Sequence, residues 1–78
     1  MLHTCENPWK DIANAIIQQA AEDYREALNA LKANPGDKSA KGDIVEIEGF
    51  FESGWFGRLT KVSGEWLKEA LRREVLGA

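Results

Sequence analysis

The chain has 78 residues, 44% hydrophobic and 29% charged, with a net charge of −3. That balance describes one small globular domain rather than a disordered chain. A domain this short buries only about 60–65% of its unfolded surface, so it leans on a disulfide, a metal, a second copy or a partner.

Cys5 is the only cysteine and His3 the only histidine. No disulfide can form within the chain, and two soft ligands fall short of the three or four that zinc requires. No metal and no cofactor is therefore expected, and a second copy or a partner is left as the supplement. A lone cysteine fits a reducing compartment. The chain opens without a basic region leading into an apolar stretch, and no run of 18 apolar residues occurs. Neither a signal peptide nor a transmembrane span is expected, and the cytoplasm is the expected location.

Residues 1–6 show no period and read as a flexible arm. Asn7-Pro8 then reads as a helix start: Asn accepts free backbone N–H groups, and Pro at the first helical position loses no hydrogen bond. Asp11 falls in the first turn, where the helix dipole favours a carboxylate. Trp9, Ile12, Ala13, Ile16, Ile17, Ala20, Tyr24, Ala27, Leu28 and Leu31 recur at steps of three and four. This is one apolar face held for more than six turns. Asn34-Pro35-Gly36 stops it, which predicts a helix over 8–33. Residues 34–42, polar with turn formers at both ends, read as a loop.

Residues 43–62 admit two readings. As helix, Asp43 is the cap, Glu46 completes a capping box, and Ile44, Ile47, Phe50 and Phe51 share a face. As strand, residues 42–48 are β-branched and partly alternating, and the later glycines are hairpin turns of a small barrel. Ser53 then caps a short helical turn, with Trp55, Phe56 and Leu59 facing inward. Ser63 caps a last helix over 64–75. Val62, Trp66, Leu67, Ala70, Leu71 and Val75 form its apolar stripe, and Lys68, Glu69, Arg72 and Arg73 its wet face. Glu69 and Arg73 are spaced for mutual support, and Gly77 ends the helix. The expected fold is all-α, one domain over 1–78, a long first helix packed against two or three shorter ones. The alternative is α+β with a barrel-like middle.

Charge is uneven along the chain. Residues 1–33 carry three bases and five acids, residues 34–56 two and five, and residues 57–78 five and three. Glu22, Asp23 and Glu26 make an acidic patch on the first helix. Glu46, Glu48 and Glu52 make a second, and together the two can imitate a phosphate row. Arg58, Lys61, Lys68, Arg72 and Arg73 form a basic group that a nucleic-acid contact needs, against a chain pI near 5.1. Trp55 is a candidate interface anchor. The glycines match neither a P-loop nor a dinucleotide fingerprint. No nucleophile stands with a base and an orienting group, so an enzyme is not expected.

The stretch Trp9-Lys10-Asp11-Ile12-Ala13-Asn14-Ala15-Ile16-Ile17-Gln18-Gln19-Ala20-Ala21-Glu22-Asp23-Tyr24-Arg25 carries a likeness. It continues in Ile47-Glu48, Phe50-Phe51, Ser53, Trp55-Phe56, Leu59-Thr60, Gly64-Glu65, Leu67, Leu71-Arg72 and Glu74-Val75. These segments resemble small uncharacterised helical proteins of Gram-positive prophages and conjugative elements. That group is helical through the middle segment, without glycines where this chain has Gly49, Gly54 and Gly57. The resemblance transfers no activity and no catalytic residue. It implies a setting, an accessory protein of a mobile element in the cytoplasm of a host bacterium.

Two function classes follow. One is a protein-binding module, such as an inhibitor of a host defence system, with Glu22, Asp23, Glu26, Trp55, Arg58, Arg72 and Arg73 as candidate contacts. The other is a nucleic-acid-binding regulator using the basic last helix. A homodimer through the first helix is also expected, and no membrane association.

Overall fold

The computed structural model describes residues 8–77, and four helices account for almost all of them: α1 (Pro8–Ala33), α2 (Lys38–Phe51), α3 (Gly54–Leu59) and α4 (Gly64–Leu76). The described residues contain no strand, so the chain is all-α and the barrel-like alternative is set aside. The arm at 1–6 and the cap at Asn7 lie outside the described residues.

α1 has the predicted bounds and, at 26 residues, is roughly 39 Å long. The connection after it is shorter than 34–42. The Asn34 side chain accepts from Gly36 N–H at 3.2 Å, and its carbonyl from Asp37 N–H at 2.9 Å. Asp37 then caps α2, its carboxylate accepting from Ala40 N–H at 3.0 Å. Asp43 is therefore no cap; it lies inside α2. The Lys-Ser-Ala-Lys-Gly segment is helical because Ala40 and Ile44 are buried against α1, which outweighs the roughly 1 kcal/mol that Gly42 costs. Replacing Asp37 by alanine is expected to cost about 1 kcal/mol of stability, read as a lower urea midpoint with an unchanged slope.

Ser53 and Ser63 cap α3 and α4 as predicted, accepting from Phe56 N–H and Trp66 N–H, each at 3.2 Å. Ser53 also donates to Phe50 O at 2.7 Å. α4 closes at Gly77, whose φ of 75° is left-handed and whose N–H reaches Arg73 O at 2.8 Å.

Side-chain pairs fix the helix directions. Tyr24 meets Glu48 and Phe51, while Ala27 and Ala30 share a groove with Ala40 and Asp43, so α2 runs antiparallel to α1. Glu52 pairs with Lys68 and Glu48 with Arg72, so α4 runs antiparallel to α2 and alongside α1. α3 packs on α1 and α2. Tyr24, Ala27, Leu28, Ile44, Phe51, Phe56, Leu71 and Val75 form the core. Phe51 and Phe56 meet edge-on at 5.6 Å, and Tyr24 meets Phe51 edge-on at 5.5 Å, the favoured arrangement of aromatic quadrupoles.

Five residues expected on apolar faces are exposed: Ile12 and Ile16 on α1, and Trp55 at 50%, Val62 at 47% and Trp66 at 64% beyond it. In α3, Phe56 and Leu59 are three apart and share the buried face, and Trp55, one turn before Leu59, sits at the edge of that face with half of its surface exposed. In α4, the line Gly64, Leu67, Leu71, Val75 faces the core, because Gly64 sets the first turn directly on the end of α2. Trp66 is displaced from that line. No helix among the described residues is long and apolar enough to cross a membrane.

Candidate functional site

Asp23 and Glu26 are three apart on α1, and Asp43 and Glu46 three apart on α2, so each pair shares one helix face. The antiparallel packing turns the two faces toward a common groove of about 390 Å³. Its lining includes Ala27 and Ala30 from α1 and Ala40 and Ile47 from α2, small or apolar side chains that let the helices approach closely. Asp37 and Ser39 close one end. Asp23 accepts from Gln19 at 2.9 Å, but among the described residues none of the four rim carboxylates has a basic partner. Four charges of one sign thus flank an apolar strip and project an attractive field for cations.

The basic residues are arranged differently. Lys68 pairs with Glu52 at 2.9 Å and Glu65 at 3.3 Å. The bond to Glu52 first, then that to Glu65, raises the Lys68 ammonium above the ordinary lysine range. Arg72 donates to Glu48 at 3.2 Å and Arg25 to Glu74 at 2.7 Å. The wet face expected of α4 is thus partly an inter-helix contact, and Glu69–Arg73 is not among the ion pairs of the described residues. Arg58 and Lys61 are exposed near the end of α3, and Arg73 lies on the outside of α4 in a shallow depression with Glu65, Trp66, Glu69 and Ala70.

Of the candidate contacts, Asp23 and Glu26 come together on the groove, whereas the exposed Glu22 does not line it. Trp55, Arg58 and Arg73 stand exposed on α3 and α4, and Arg72 is engaged with Glu48. Asp43 enters the site as an addition, while Glu46 comes from the second acidic patch, whose other members Glu48 and Glu52 are engaged with Arg72 and Lys68 instead. The signal of Asp43 and Glu46 is present in the sequence as a second acidic i,i+3 pair, but it acquires meaning only once the two helices are known to be antiparallel neighbours.

The remaining polar cluster is internal. The Tyr24 hydroxyl donates to Glu48 Oε2 at 2.7 Å, and Arg72 Nη1 reaches both, at 3.4 and 3.2 Å. The Tyr24 residue is fully buried. Burial first, then the bond to Glu48, pushes its phenol up to about 12, with Arg72 pulling the other way. The phenol therefore stays neutral, and the groove is lined by none of the three residues. The cluster joins α1, α2 and α4. Among the described residues no group of three or more His, Cys, Asp or Glu is placed to hold a metal; His3 and Cys5 lie outside them. Comparison with protein-family models, curated proteins and solved structures returns no match.

Proposed function

We propose that the chain is a non-catalytic protein-binding module that receives a basic, amphipathic segment of a partner in the groove between α1 and α2. The observation that carries this reading is the two rows of carboxylates, without basic partners among the described residues, on either side of an apolar strip. Lysines or arginines of the segment meet the rims, and small apolar side chains meet the alanines. An accessory protein of a mobile element that occupies a host protein's surface, a defence component for instance, is one use of such a module.

The nucleic-acid reading has less support. Two of the five basic residues in the last third are engaged with carboxylates, and the remaining three are spread over α3, the connection after it and α4. A second copy of the chain is a further partner, docking through α1.

Calorimetric titration with a lysine-rich amphipathic helical peptide at low salt tests the groove, with duplex DNA titrated in parallel. The expected result is peptide binding that weakens as salt rises, and that falls at least about tenfold in Asp23→Lys/Asp43→Lys while the melting temperature holds. Steeply salt-dependent binding of DNA with no response to the peptide would reverse the assignment.

A further inference from the structure

Trp66, Glu69, Arg73 and Leu76 recur along α4 at steps of three, four and three, so they share one face of the helix. The core face of α4 is the line Gly64, Leu67, Leu71, Val75, and the Trp66 stripe lies about half a turn away from it. All four side chains of the stripe are exposed, Trp66 at 64% and Leu76 at 40%. Glu69 and Arg73 are spaced for a bond within the helix, yet neither enters an ion pair among the described residues. The neighbouring charges are engaged elsewhere: Glu65 with Lys68, Arg72 with Glu48, and Glu74 with Arg25. Read along the helix, the stripe is therefore apolar, acidic, basic, apolar.

We propose that a second copy of the chain covers this stripe, the two α4 helices packing antiparallel about a twofold axis at the level of Leu71. Charge complementarity selects the occupant. Trp66 and Leu76 lie equally far on either side of Leu71, and so do Glu69 and Arg73. Reversing the stripe therefore sets Trp66 of each copy on Leu76 of the other, and Glu69 of each on Arg73 of the other. A parallel copy in register would set Glu69 on Glu69 and Arg73 on Arg73, which is repulsive. Ala70, beside Trp66 near the middle of the seam, is small enough to let the helix axes approach. The antiparallel sense also opposes the two helix dipoles. α1 lacks this property: Ile12, Ile16, Asp23 and Glu26 share one face, which holds carboxylates and no base to meet them. Self-association thus passes through α4 and not through α1. The seam spans only about 15 Å of helix from Trp66 to Leu76. It falls short of the roughly 1,200 Å² of a stable interface, so the dimer is weak, with dissociation on the order of 100 μM.

Sedimentation equilibrium of the full chain at low salt, over a wide concentration range, tests this. The expected result is a monomer–dimer equilibrium in the wild type, weakened at least about tenfold in Trp66→Ala, in Glu69→Arg and in Arg73→Glu. Each charge variant alone sets like charges against each other. Mixed in equal amounts, the two meet opposite charges at both positions, and the dimer is expected to return to near wild-type strength. Ile12→Asp, which blocks docking through α1, is expected to leave the equilibrium unchanged. Circular dichroism confirms that the variants keep their helix content. A wild type that stays monomeric at about ten times that concentration overturns self-association itself. A dimer that survives the three α4 variants, or that is lost in Ile12→Asp, overturns the α4 seam. A mixture of the charge variants that stays monomeric overturns the pairing of Glu69 with Arg73. None of these results touches peptide binding in the groove.

Discussion

Replacing Gly64 by alanine is expected to cost the fold about 3 kcal/mol or more. A domain of this length has roughly 4–12 kcal/mol in all, so the loss is a large share of its stability. A methyl group placed on Gly64 falls inside the van der Waals contact of Phe51 O, 2.8 Å from Phe51 C and 3.3 Å from Phe56 Cδ1. The first two obstacles are backbone at the end of α2 and cannot turn aside as a flexible side chain does. α4 has to retreat from α2, which stretches Lys68–Glu52 and Arg72–Glu48 and uncovers Leu71 and Val75. Gly49 supplies the control. It lies inside α2 with nothing within 4 Å of an added Cβ, so alanine there is expected to add about 1 kcal/mol through helix propensity. Urea melts of the two variants should move in opposite directions. An unchanged midpoint for Gly64→Ala would mean that the first turn of α4 does not rest on the end of α2.

The contrast between these glycines shows which parts of the fold can be read from residues alone. The course of α1 was legible to its ends, because its apolar repeat persists for more than six turns and a proline follows. The serine caps of α3 and α4 were legible because a cap is a local event, one side chain reaching three residues ahead. The start of α2 was not, since Asp37, Lys38 and Ser39 look like loop until the burial of Ala40 and Ile44 is known. Trp55, Val62 and Trp66 were assigned inward by hydrophobicity, but facing is decided by the neighbour that a helix packs on. For α4 that decision rests with Gly64, a residue with no side chain to show it. The acidic groove was half legible for the same reason: Asp23 and Glu26 stood out as a patch, but their pairing with Asp43 and Glu46 depends on how two helices cross.

The internal cluster gives the second large effect. Glu48→Leu is expected to cost about 2–3 kcal/mol, because it leaves the buried Tyr24 hydroxyl without an acceptor and Arg72 can only donate. Tyr24→Phe alone is expected to cost about 1 kcal/mol, since Glu48 keeps its bond from Arg72. The two changes are therefore not additive. Adding Tyr24→Phe to Glu48→Leu removes the stranded hydroxyl, and the double variant should be more stable than Glu48→Leu. If it is less stable, the hydroxyl has another acceptor and the cluster does not join the helices in this way. The alkaline limb of the stability profile provides an independent check. Folding raises the Tyr24 phenol from its usual 10 to about 12, so the neutral form is the one the fold favours. Its contribution is complete below pH 10 and drains away as the pH climbs from 10 through 12. Wild type should lose stability more steeply than Tyr24→Phe across that window, since phenylalanine has no proton to release. Parallel curves for the two proteins would mean that the ring sits in water and that the three helices are held by their apolar faces alone.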